Sequence, residues 1–190
     1  FQFKVLPFGL CNAPATFSRL MEMVLKGLQW ERCLVYLDDI ICFGKTFDEA
    51  LENLDMVIQK LISAGLKLKA KKCALFQDRV DFLGHVVSSK GIECDPRKVD
   101  VVDNWPIPRS VKEIRSFLGL ASYYRRFIPG FAQTATPLTN LTRKNVQFVW
   151  TPECQIAFDT LKDKLVTAPV LSYPSNDPTH LFIIDTDASN

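Results

Sequence analysis

Two short apolar runs, Cys33-Leu34-Val35-Tyr36-Leu37 and Ile40-Ile41-Cys42-Phe43, are separated only by Asp38-Asp39. Runs of this length and composition, joined through two polar residues, predict an antiparallel hairpin with the acidic pair at its tip. The prediction constrains the rest of the chain, because an isolated two-stranded ribbon is marginal in water and needs cover on its apolar face. An Asp-Asp pair ordinarily marks a solvated turn. Here, however, neither Gly nor Asn, which tight hairpin turns prefer, stands beside it. A requirement for charge accounts better for Leu-Asp-Asp-Ile than a requirement for shape.

Helices are legible on either side of this hairpin. Asn12-Ala13-Pro14 opens one that ends near Gly27, with Phe17, Leu20, Met21, Val24 and Leu25 as its apolar stripe. Thr46 and Glu49 form a capping box for a second helix. Its apolar positions are Leu51, Leu54, Val57, Ile58, Leu61 and Ile62, and it stops at Gly65. The opening FQFKVLPF reads as a strand, and so does Val80 to Val87, which turns at Ser88-Ser89-Lys90-Gly91 into Ile92-Glu93-Cys94. From Asp95 the texture changes. Asp95-Pro96, Trp105-Pro106-Ile107-Pro108 and Pro129-Gly130 separate short helices, one of them capped by Ser110 with Glu113. Thr151-Pro152 opens a last helix lined by Phe158, Leu161 and Leu165, and Leu181 to Ile184 reads as a final strand. The expected class is α+β, an antiparallel sheet with helices on one face. Three parts are expected, 1–94, a small helical unit 95–145, and a further unit from 146 to 190.

Charge is uneven along the chain, although the net value is only +2. Seven acids stand between Glu31 and Gln59 against Arg32 and Lys45, whereas Lys60 to Arg79 holds six basic residues against Asp78 alone. The six cysteines are far apart, with no CxxC pair and no nearby His, which gives neither a zinc site nor a disulfide framework. Free thiols, no leader and no apolar run near the roughly 20 residues a membrane span needs predict an intracellular protein. The chain starts at Phe1 and stops after Asp187-Ala188-Ser189-Asn190, and it is expected to be a segment of something longer.

Two adjacent carboxylates repel one another unless a cation neutralises them. Mg²⁺ takes hard oxygen ligands, commonly one or two protein carboxylates plus substrate phosphates, and a pair of such ions serves phosphoryl transfer. The residues around the pair point the same way. Tyr36-Leu37-Asp38-Asp39 resembles the YxDD signature of reverse transcriptases, and Leu6-Pro7-Phe8-Gly9-Leu10-Cys11-Asn12-Ala13-Pro14-Ala15-Thr16-Phe17 resembles an upstream block of the same family. Phe82-Leu83-Gly84-His85 is similar to its primer-grip hairpin, and Phe117 to Ile128 is similar to the thumb of gypsy-like long-terminal-repeat retrotransposon polymerases. Trp150, Ala157-Phe158, Leu161-Lys162, Ala168-Pro169-Val170-Leu171 and Thr186-Asp187-Ala188-Ser189 resemble the linker and first strand of the ribonuclease H domain that follows. The blocks run in family order over essentially the whole chain.

The resemblance implies a partial polymerase palm over 1–94, a helical thumb over 95–145, and the start of a ribonuclease H-like domain over 146–190. It implies that Asp38 and Asp39 are the catalytic, metal-holding pair, and that Asp187 is the first metal ligand of the ribonuclease H site. Tyr36 would sit near the primer end, with Pro7, Phe8 and Gly9 against template and nucleotide. Leu83, Gly84 and His85 would contact the primer strand. It further implies Mg²⁺ as cofactor, and a template-primer duplex and deoxynucleotides as partners. Plainer readings stand beside these: Pro7-Phe8-Gly9 as a strand-ending turn, His85 as a packed residue, Lys67 to Lys72 as a solvated face, and Tyr123-Tyr124 as helix packing. The family's third aspartate lies on an earlier strand, and upstream of Asp38 this chain has only Glu22 and Glu31. The 190 residues alone are therefore expected to be inactive in both chemistries. A non-catalytic retroelement-derived binding module is the alternative, although such a module has no use for an unneutralised acid pair. A nucleotide cyclase of palm type would share only the sheet and the metal logic.

Overall fold

Pro14 fixes the first turn of α1 (Ala13–Val24), and Leu25 and Gly27 (φ 84) end it. Met21 and Leu25 are fully buried, with Phe17 and Val24 packed beside them, as the stripe predicts. The chain then forms the hairpin of β1 (Cys33–Tyr36) and β2 (Asp39–Cys42), paired Cys33 with Cys42 and Tyr36 with Asp39. α2 (Phe47–Ser63) follows, capped at Thr46, whose hydroxyl accepts from the Glu49 N–H at 3.2 Å. Glu49 Oε2 in turn accepts from the Lys45 N–H at 2.8 Å, one residue before the usual capping-box partner. The inner face of the hairpin (Cys33, Val35, Ile40, Cys42) meets Met21, Leu25, Leu28, Val57 and Leu61, and this is the cover the ribbon needs.

The computed structural model describes residues 2–7, 9–175, 177, 179, 181 and 186. Three expectations are corrected in its first part. Residues 2–7 form no strand, since an extended run becomes one only when a neighbour accepts its hydrogen bonds, and none of the described residues does. The bend lies at Leu37-Asp38 and not at Asp38-Asp39, because pairing Cys33 with Cys42 turns the apolar set 33, 35, 40 and 42 toward the helices. The buried column of α2 is Asn53, Val57 and Leu61, while Leu51 and Ile62 are exposed. Asn53 is 1% exposed and bonded at both ends of its amide: its Nδ2 donates to Phe43 O at 2.7 Å, and its Oδ1 accepts from Arg32 Nη1 at 2.7 Å. A polar residue in a helical stripe is invisible to a hydrophobicity pattern.

By packing, the chain forms two units, Phe1–Phe82 and Leu83–Asn190. β3 (Arg79–Phe82) closes the first. The run expected as one strand breaks at Leu83 (φ 50) and Gly84 (φ 68), and both left-handed residues make a sharp turn into β4 (His85–Ser88). β4 pairs antiparallel with β5 (Gly91–Cys94) through the turn foreseen at Ser89-Lys90. Leu171 bridges to Ile92 by two backbone hydrogen bonds of 2.8 Å, so the loop after the last helix adds to this ribbon.

Among the described residues four α-helices complete the second unit: α3 (Pro96–Asp103), α4 (Val111–Tyr123), α5 (Phe131–Asn140) and α6 (Pro152–Val166). Ser110 and Thr151 cap α4 and α6 as read from sequence, each accepting from the backbone N–H three residues on. Ile114, Phe117 and Ala121 of α4, Ala135 and Leu138 of α5, and Cys154, Phe158, Leu161 and Leu165 of α6 share one core. Phe117 and Phe158 meet at 4.6 Å between ring centroids. The packing units and the sequence blocks thus cut the chain differently: α6, which opens the last sequence block, is buried with α3, α4 and α5. The architecture is mixed, with six α-helices and small antiparallel sheets among the described residues. No described helix is long and apolar enough to cross a membrane.

Candidate functional site

The acidic turn belongs to the first unit and is built by the hairpin. Leu37 takes φ 54, a left-handed conformation that costs a non-glycine residue about 1–2 kcal/mol. It bends the chain so that Asp38 completes the turn and Asp39 opens β2 opposite Tyr36. Asp38, Asp39 and Tyr36 are all exposed, Tyr36 by 56%. Neither carboxylate has a hydrogen-bond or ion-pair partner among the described residues, although hydrogen bonds tie the far end of the same hairpin to α2 through Asn53. The result is a rigidly supported pair of hard, acceptor-only oxygen donors left open to solvent. That donor chemistry fits Mg²⁺, which uses one or two protein carboxylates and completes its shell with water or phosphate oxygens. Among the described residues no three His, Cys, Asp or Glu side chains come close enough to hold a metal ion by themselves.

Pro7 is partly buried and Gly9 sits in a turn at φ 90, ahead of α1; Phe8 lies outside the described residues. Asp187 also lies outside them, as does most of the strand expected at its approach.

The second unit holds Leu83, Gly84 and His85 in a way the sequence did not announce. The Tyr123 hydroxyl donates to the Leu83 carbonyl, and the Tyr124 hydroxyl donates to the Gly84 carbonyl at 2.6 Å. Both carbonyls of the left-handed turn are therefore held by the end of α4. His85 Nδ1 donates to the Leu83 carbonyl at 2.9 Å, and its ring lies 5.2 to 5.8 Å from the rings of Tyr123, Tyr124 and Phe127. His85 is thus packed and hydrogen-bonded, as its plainer reading had it. A Cβ on Gly84 would come within 3.2 Å of the Tyr123 hydroxyl. Tyr124 is 1% exposed, and burial pushes its hydroxyl up to about 12, so it stays a donor. Only the adjacency of two tyrosines at a helix end hinted at this brace.

Beside it, Asp95 caps α3. Its carboxylate accepts from the Arg97 backbone at 3.0 Å and from the Arg97 guanidinium at 2.9 Å through each oxygen. The Arg97 side chain holds this carboxyl below the usual range against the opposing effect of burial.

Residues 1–87 match the family model of reverse transcriptase (RNA-dependent DNA polymerase), and residues 150–190 match that of the RNase H-like domain found in reverse transcriptase. The chain is 43% identical over 192 residues to the retrovirus-related Pol polyprotein from transposon 297 of Drosophila melanogaster, covering all of this chain and 18% of that protein. It is 42% identical to that from transposon 412 of the same organism, again over the whole chain and 15% of the relative. Among solved structures, the foamy viral protease-reverse transcriptase in complex with double-stranded DNA superposes with a TM-score of 0.82 at 32% identity, over 90% of this chain and 30% of that one. The same enzyme with RNA/DNA hybrid gives 0.80, also at 32% identity, over 92% and 24%. The chain spans less than a third of each of these proteins. With its acidic hairpin, its ordered motifs and relatives that match it from end to end, the chain belongs to the reverse transcriptase family of long-terminal-repeat retrotransposon Pol polyproteins.

Proposed function

We propose that the chain is the C-terminal part of a polymerase palm (1–94), its thumb (95–145) and the start of a ribonuclease H-like domain (146–190), serving RNA-directed DNA synthesis on a template-primer. The observation that carries the reading is the exposed, unpaired Asp38-Asp39 pair on a hairpin backed by two helices. When bound there, Mg²⁺ supplies charge neutralisation at the reacting phosphate. The residues of this chain have narrower tasks. Asp38 and Asp39 offer oxygen donors at a fixed place. Tyr36 lies exposed beside Asp39, at the position proposed for the primer end. Leu83, Gly84 and His85 form the turn that would bear on the primer strand, and Tyr123 and Tyr124 fix its carbonyls. Pro7, Phe8 and Gly9 are proposed to face template and deoxynucleotide, and Asp187 to be a metal ligand of the ribonuclease H site.

A two-metal site needs more carboxylate than one short turn provides. The 190-residue polypeptide is accordingly expected to bind an RNA/DNA hybrid but not to extend a primer with Mg²⁺ present; extension by it would overturn this. In a longer, active Pol polypeptide carrying the chain, Asp38→Asn should reduce extension by more than about 100-fold, beyond the roughly 10–100-fold typical of losing a partner that only orients a ligand. A variant that keeps full activity would remove Asp38 from the site. Hybrid binding that persists while Asp38→Asn has no effect would instead favour a non-catalytic binding module.

A further inference from the structure

We propose that Cys33 and Cys42 form a dithiol site on the acidic hairpin, which closes to an intramolecular disulfide by exchange with a small-molecule disulfide such as oxidised glutathione. The two cysteines are direct partners across the β1–β2 ladder. Their side chains share the inner face, where Cys33 is fully buried and Cys42 packs against the same cluster. The hydrogen-bond pattern fixes how close they come. The Phe43 N–H donates to the Arg32 carbonyl at 3.3 Å, so the next pair out is the hydrogen-bonded one. Pair types alternate along an antiparallel ladder, which makes Cys33 and Cys42 a non-hydrogen-bonded pair. Such pairs bring Cα atoms to about 4.5 Å, inside the roughly 4.4–6.8 Å that disulfides span. Each thiol also registers its surroundings: burial raises both, and Cys33 raises Cys42 further, to about 11.

The remaining cysteines are placed differently. Cys11 and Cys73 are exposed, and Cys94 and Cys154 are buried in the second unit. Cys42, the partly exposed member of the pair, is the one that reaches a reagent first. Its thiolate attacks one sulfur of the small disulfide, forming a mixed disulfide and releasing one small thiolate, which takes up the proton. Cys33 then gives its proton to solvent and attacks the Cys42 sulfur, expelling the second small thiolate. Two protein thiols are oxidised to one disulfide, and one small disulfide is reduced to two thiols. The proposal concerns the hairpin alone and does not depend on polymerase activity.

The test uses the full 190-residue chain with Cys11→Ser and Cys73→Ser, which removes the exposed thiols. Circular dichroism first verifies folding. The protein is incubated with oxidised glutathione in native buffer and in urea, acid-quenched, alkylated in denaturant, digested and analysed by mass spectrometry. The expected product is a linked Cys33–Cys42 peptide pair with Cys94 and Cys154 still alkylated, whereas the chain in urea, where the fold no longer sets Cys33 against Cys42, also yields links to Cys94 and Cys154. Overturning results are Cys33 and Cys42 both alkylated after folded incubation, a link from either to Cys94 or Cys154 in the folded chain, or the same mixture of links in buffer and in urea.

Discussion

Asp95 shows how one residue sets the acid sensitivity of a unit. The residue is 4% exposed, and its carboxylate caps α3 and grips Arg97 through both oxygens. A carboxyl whose pKa is lower folded than unfolded adds stability that is fully present above the unfolded value, about 3.9. That contribution is lost as pH falls through the folded value. The thermal stability of the chain should therefore fall below about pH 4. In Asp95→Ala this acid-dependent part should shrink, together with a loss of about 0.5–2 kcal/mol at neutral pH from the missing cap. An unchanged acid profile in the variant would show that other carboxylates carry it. Asn53 acts similarly in the first unit without charge. Asn53→Ala leaves the Phe43 carbonyl without its partner and the Arg32 guanidinium with Glu52 alone, at a cost of about 1–3 kcal/mol in urea titration.

At the scale of elements, turns decide more than strands do. Gly91 opens β5 at φ 134, and a Cβ there would collide with the Leu171 carbonyl oxygen. Gly91→Ala should therefore break the bridge between Ile92 and Leu171 and destabilise the second unit by about 1–3 kcal/mol. Amide exchange at Leu171 would report the broken bridge, and unchanged protection there would contradict the collision. The Leu83-Gly84 turn depends instead on its neighbours. Tyr124→Phe removes one hydroxyl and nothing else, and should cost about 1 kcal/mol by leaving the Gly84 carbonyl unpaired. If the turn bears on a primer strand, hybrid binding should weaken in Tyr124→Phe by more than the small stability loss explains.

At the scale of the molecule, the described residues form two cores, one around the hairpin, α1 and α2, the other around α3 to α6. The balance of charge is close to neutral, with a basic stretch after α2. Binding of an RNA/DNA hybrid should consequently fall with salt, the slope of log K against log [salt] giving the number of phosphates neutralised. Binding indifferent to salt between low and physiological ionic strength would exclude phosphate contacts as its source.

Much of this was written locally. Thr46, Ser110 and Thr151 announce their helices, because a cap needs only a side-chain oxygen and a backbone N–H three residues away. The hairpin, the acidic pair and the family motifs were equally legible, since apolar alternation and short motifs are contiguous. The exact bend at Leu37-Asp38, the burial of Asn53, the tyrosine brace on Leu83 and Gly84, and the Cys33–Cys42 pairing were not. Each joins residues by register or by contact across the fold: Tyr124 meets Gly84 across 40 positions, and Gly91 meets Leu171 across 80. Periodicity fixes which face of an element is apolar, but only packing fixes what that face, and any polar group on it, will meet.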